Sequence, residues 1–105
     1  MKYVFDIDGT ICSNTNGRYT ESEPYFDMIS YINKLYSEGN YIVYHTARGM
    51  GLFDNDQLQA INEWHSFTES QLKEWNAKYH LLLLGKPSGD IYIDDKGIKD
   101  DDFFK

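Results

Sequence analysis

Two carboxylates one residue apart, Asp6 and Asp8, follow the apolar run Tyr3-Val4-Phe5 and lead straight into Gly9-Thr10. Like charges about 4 Å apart repel by roughly 4 kcal/mol at an effective dielectric near 20. A pair gathered at a strand end therefore calls for a cation, a shared proton or a reaction. Further polar residues stand at similar places: Thr46 after Tyr41–His45, Lys86 after His80–Leu84, and Asp94-Asp95 after Ile91-Tyr92-Ile93. Three separated carboxylate positions suit Mg²⁺, which takes oxygen ligands and keeps several waters. A Lys and a Thr beside them suit a phosphoryl group, one by charge and one by hydrogen bond. An Asp can serve as nucleophile and become an aspartyl phosphate, with a cation and an acid or base completing phosphoryl transfer.

Such a set works only if the fold brings it to one edge. Lys2–Phe5, Tyr41–His45, His80–Leu84 and Ile91–Ile93 read as four strands. The third shows no alternation, which predicts burial on both faces. Between the first two, Tyr25, Met28, Ile29, Ile32, Leu35 and Tyr36 follow the spacing of an amphipathic helix, with Pro24 at its start and Gly39 past its end. A second helix is predicted from Asp56, with Leu58, Ile61, Trp64 and His65 on one side, and a further helical start at Thr68, which has capping-box spacing to Gln71. "CSNTNGRYTESE" reads as a loop or a small hairpin around Asn16-Gly17, and "ARGMGLFDND" as a second loop. Strands alternating with helices predict a parallel sheet, whose carboxyl edge is where open α/β sheets bind ligands.

The 105 residues predict one domain over residues 1–105, and 41% hydrophobic with 26% charged residues is ordinary for a globular chain. A formal net charge of −7 weighs against nucleic acid and anionic membranes as general partners. The single cysteine, Cys12, permits no intrachain disulfide, and no apolar stretch is long enough for a signal peptide or a membrane span, so a reducing cytoplasm is expected.

At these residues the chain resembles the haloacid dehalogenase superfamily. "DIDGT" is similar to that superfamily's opening motif, "YHTARG" supplies a strand-terminal Thr like its second, and "GKPSGDIYIDD" resembles its third and fourth together. The narrower likeness is to small capless phosphatases of capsule polysaccharide and sugar-phosphate biosynthesis. The resemblance implies a three-layer, Rossmann-like α/β core with helices on both faces and no cap domain. It implies an Mg²⁺-dependent phosphomonoesterase. Asp6 would be the nucleophile, and Asp8 would protonate the leaving oxygen and later activate water. Thr46 would bind a phosphoryl oxygen, and Lys86 would bridge nucleophile and phosphate. Gly9, Ala47, Arg48, Thr46 and Lys86 would line the substrate. Asp6, the Asp8 carbonyl and Asp94 would ligate Mg²⁺, with Asp95 beside them or acting through a water; which of Asp94 and Asp95 touches the metal stays open.

Other readings remain beside it. Arg48 either contacts substrate or is solvated. Asp100-Asp101-Asp102 reads as a solvated run, and His45, His65 and His80 as packing residues. A receiver-like phospho-aspartate module uses the same residue types, but in another order. A polynucleotide-end phosphatase would want a basic stripe that this chain lacks. A chain without a cap leaves the site mouth open, to be covered either by a macromolecular substrate or by a neighbouring subunit; of the two, a homo-oligomer acting on a small sugar phosphate is expected. Phe103 and Phe104 would join that contact or pack on their own core.

Overall fold

The computed structural model describes residues 1–105. Three strands, β1 (Lys2–Phe5), β2 (Tyr41–Thr46) and β3 (Leu81–Leu84), form a parallel sheet in the order β1-β2-β3. Helix α1 (Phe26–Ser37) connects the first two strands and α2 (Gln57–Glu74) the second and third; a short helix α3 (Asp100–Phe103) ends the chain. A parallel pair needs such a crossover, and two right-handed crossovers moving in the same direction place both helices on one face.

The register bears this out. Tyr3 pairs with Ile42, Phe5 with Tyr44, Tyr44 with Leu82, and Thr46 with Leu84. Phe5, Ile42, Tyr44, Leu82 and Leu84 are buried in one cluster with Ile29 and Ile32 of α1 and Leu72 of α2. Phe103 and Phe104 pack on the same side, edge-on or stacked against Phe5 and against Tyr31 of α1. Those two phenylalanines therefore belong to this chain's own core.

The parallel α/β architecture without a cap is the expected one, but the expected second layer of helices is not found. The opposite face is largely bare: Val4 is 61% exposed, Leu81 40% and Leu83 43%. β3 alternates exposed and buried residues and is not covered on both sides.

Local signals explain the rest. In α1 the buried pair Ile29 and Ile32 has i, i+3 spacing, and the chain leaves the helix through Gly39 at φ +93°, where any Cβ would be strained. Asp56 caps α2 by accepting from the Gln59 amide at 3.2 Å. The second start at Thr68 does not exist: α2 runs through it unbroken, because Thr68 is fully buried and faces another partner. The loop after β1 holds a 3₁₀ turn (Tyr19–Glu21), with Asn16 and Gly17 both at positive φ. The predicted fourth strand is absent. Ile91, Tyr92 and Ile93 are 78%, 52% and 91% exposed and lie in no sheet. No helix is long and apolar enough to cross a membrane.

Candidate active site

At the carboxyl edge the three strand ends converge. β1 delivers Asp6, β2 ends in Thr46, and the Lys86 amide donates to the Thr46 carbonyl at 3.2 Å, tying the end of β3 to β2. The Lys86 ammonium lies 3.8 Å from Asp6 Oδ1. Burial pushes the Asp6 carboxyl above its ordinary value, while Lys86 and the Ile7 amide pull it back and the charges of Asp8 and Asp100 add to the rise. Asp6 is therefore a partly buried carboxylate, its side chain still 37% exposed, beside one cation.

Asp8 sits in a different environment. Arg48 Nε donates to its Oδ2 and Nη2 to its Oδ1, both at 3.0 Å. Nη1 donates to Thr68 Oγ1 at 3.2 Å, and the guanidinium lies 4.8 Å from the centre of the Tyr19 ring. Arg48 is 1% exposed. It is thus neither a substrate ligand nor a solvated side chain, which corrects both sequence readings: its charge is spent on fixing Asp8. A planar guanidinium suits this task because its donors match a carboxylate two at a time. Cys12, buried beside them, donates to Asp8 Oδ1 at 3.5 Å; burial and the Asp8 charge push its thiol up to about 12, which keeps it inert.

Gly9 has φ +86°, and nothing lies within 4 Å of where its Cβ would be. The backbone conformation, not crowding, demands glycine here. Its amide donates to the Cys12 carbonyl at 2.8 Å, so it offers no free donor to a substrate, contrary to its expected role. Thr46 is buried, and its Oγ1 accepts from the Arg48 amide at 3.1 Å; its own hydroxyl proton is not engaged. Ala47, half-buried, follows it at the edge.

Asp94 and Asp95 do not join the others. Both are exposed, and Asp94 Oδ1 accepts from the Lys96 and Gly97 amides at 2.8 and 2.5 Å in a turn of its own. No group of three or more His, Cys, Asp or Glu comes together in a way that holds a metal ion. The expected ligand set of Asp6, Asp8 and Asp94 or Asp95 is therefore not assembled within one folded chain. Mg²⁺ takes about six oxygens and tolerates little distortion; Asp6 offers it one carboxylate.

Two residues near the site were read otherwise from the sequence. His45, half-buried, feels Lys86: burial first and then that charge lower its pKa, so it stands neutral beside the site. Asp100, read as part of a solvated run, starts α3 half-buried and within the field of Asp6. Its signal lay in Phe103-Phe104, two aromatics able to dock the tail on β1. A surface cavity of about 360 Å³, lined by Tyr36, Lys73, Tyr79 and neighbours, opens at the amino end of β3, opposite to Lys86.

No protein-family model matches this chain, and no curated protein does. A solved structure, a structural genomics target from Vibrio cholerae, is similar to it over 98% of this chain and 86% of its own, with a TM-score of 0.88 and 27% sequence identity.

Proposed function

We propose that this chain is a phosphomonoesterase that works through an aspartyl phosphate on Asp6, acting on a small phosphorylated metabolite such as a sugar phosphate. The observation that carries the reading is the division of labour at the strand edge. One carboxylate, Asp6, is part-desolvated beside Lys86, while a second two residues further on, Asp8, is clamped by the buried Arg48. Two acidic groups in contrasting environments are what nucleophile and acid–base partner require.

In the first half-reaction an Asp6 oxygen attacks phosphorus, forming the Asp6–phosphorus bond as the ester oxygen–phosphorus bond breaks. The leaving oxygen takes a proton from Asp8. In the second, water gives its proton to Asp8 and attacks phosphorus, and the Asp6–phosphorus bond breaks to release inorganic phosphate. For Asp8 to carry the proton, one of its two Arg48 contacts must open. Arg48 then acts as a positioning residue that holds Asp8 to one orientation. Lys86 neutralises charge as two anions meet, and the Thr46 hydroxyl proton and the Ala47 backbone border the phosphoryl site.

The test is turnover. With Mg²⁺ and p-nitrophenyl phosphate the protein should release phosphate over many cycles, and Asp6→Asn should release none while remaining folded. Stoichiometric phosphorylation without turnover would favour a signalling module instead, and an active Asp6→Asn would remove Asp6 from the nucleophile's role.

A further inference from the structure

The hydrogen bonds of Arg48 all leave from the edge of its guanidinium. Nε and Nη2 hold Asp8, and Nη1 holds Thr68. Such bonds weaken steeply once the donor plane tilts away from its acceptors. Tilting is opposed by what lies on the face of the group, and there the Tyr19 ring lies, 4.8 Å from the guanidinium carbon. At that distance the face of an aromatic ring attracts a cation, more strongly where water is excluded. The Arg48 side chain is wholly buried.

Tyr19 comes from the loop after β1, and a loop residue fixes nothing unless it is itself held. It is held at three points. Its hydroxyl oxygen accepts from the Gly49 amide at 3.0 Å, its carbonyl accepts from Gln71 Nε2 at 2.9 Å, and its ring meets Trp64 edge-on with centroids 4.7 Å apart. The Gly49 contact needs the backbone beside Arg48 to run against α2, where a Cβ would lie 2.6 Å from Trp64 Cδ1. Trp64, Thr68 and Gln71 stand at i, i+4 and i+7, so one stripe of α2 carries both Arg48 and the residue on its face. The stripe is costly. Gln71 Oε1 and Trp64 Nε1 are buried with no partner, a desolvation cost that an apolar side chain at either position would avoid. Local rules are broken in this way where a site demands it.

We propose that Tyr19 is a positioning residue for the acid–base step: by holding the face of the Arg48 guanidinium it fixes Arg48, and through Arg48 the orientation of Asp8. This deepens the phosphatase reading and rests on it for the kinetic test. Tyr19 itself acts only through Arg48. When one Arg48–Asp8 contact opens for proton transfer, the ring keeps the guanidinium in plane, so the second contact holds and Asp8 stays aimed at the leaving oxygen. Without the ring the clamp tilts, and proton delivery suffers before attack by Asp6 does.

That order gives a readout which a merely structural role would not move. An alkyl phosphate needs its leaving oxygen protonated; p-nitrophenyl phosphate hardly does. In Tyr19→Leu, kcat/KM for glucose 6-phosphate should fall by about tenfold or more, part of the roughly 10²–10⁴ that acid–base catalysis supplies, and that for p-nitrophenyl phosphate by less than about threefold. Tyr19→Phe, which keeps the ring, should hold the wild-type ratio between the two esters. Equal losses on both esters, or no loss on either, would overturn the proposal. A second readout needs no activity. Solvent exchange of the Arg48 Nε–H, followed by NMR, should speed up by about tenfold in Tyr19→Leu relative to the backbone amides of α2. Should that variant fail to fold, phenylalanines of increasing fluorination at position 19 keep the shape while weakening the attraction of the ring face for a cation. Exchange should then quicken with each fluorine, and a flat series would overturn the proposal. If wild type hydrolyses no phosphate ester, the functional reading fails, while the exchange rates still decide whether Tyr19 holds Arg48.

Discussion

Arg48→Met should be among the most damaging single substitutions in this chain. It removes a guanidinium whose side chain is wholly buried, from an Asp8 side chain only 17% exposed. Breaking a buried pair by removing one member costs about 3–5 kcal/mol, because the remaining charge has no partner. Some water reaches Asp8, which points to the lower end. Thr68 Oγ1 loses its donor as well, adding roughly 1 kcal/mol, and methionine recovers part of the packing volume. The net expectation is a loss of about 3 kcal/mol, a large share of the roughly 5–15 kcal/mol that holds a domain of this size. Urea denaturation at pH 7 would read it as a lower midpoint at unchanged slope. The double variant with Asp8→Asn removes the orphaned charge and should recover about 1–2 kcal/mol relative to Arg48→Met alone. A loss below about 1 kcal/mol, or no recovery in the double variant, would show that the pair does not hold the loops together as argued.

Asp6→Asn should be inactive yet more stable at neutral pH. The Asp6 carboxyl is raised in the folded state, so the native protein holds that proton more tightly than the unfolded chain. The stability this contributes is present below the ordinary value of 3.8 and is lost as pH rises through the folded value. Melting temperatures of the two proteins should therefore diverge in favour of the variant as pH rises from 3.5 to 7; parallel curves would refute it. Gly49→Ala should destabilise far more than Gly9→Ala. Both have positive φ, but a Cβ at Gly49 would lie 2.6 Å from Trp64 Cδ1 and 3.2 Å from Ala60, whereas Gly9 faces open space. Gly9→Ala should cost about 1–2 kcal/mol from backbone strain alone, and equal losses at both sites in thermal melts would contradict the packing.

The parts of this structure written in local pattern were legible in the sequence. The spacing of Ile29 and Ile32 with a terminal Gly39 marks α1, and Asp56 marks the start of α2. Strand ends carrying Asp6, Thr46 and Lys86 mark the edge where they meet. What depends on distant partners was not. Arg48 sits in a loop of ordinary composition, and only the fold brings it to Asp8, forty positions away, and to Thr68. The same buried hydroxyl made Thr68 look like a helix cap, since a Ser or Thr three residues before a Gln is what a cap looks like when its tertiary partner is unseen. Four consecutive leucines cannot show that only Leu82 and Leu84 are covered, because apolar residues on both faces hide one-sided packing. Ile91–Ile93 has strand composition, but a strand also needs an edge to pair with, and that edge is supplied by no residue near it in sequence.

Transfer of the phosphoryl group to Asp6, the step proposed above, is tested most directly by quenching the protein in acid during turnover of a phosphate ester, reducing the trapped acyl phosphate with borohydride, and locating the modified residue by peptide mass spectrometry. Homoserine is expected at position 6 in wild type, more of it in Asp8→Asn, where hydrolysis of the intermediate slows, and none in Asp6→Asn. Modification at any other aspartate, or multiple turnover with position 6 unmodified, would contradict it.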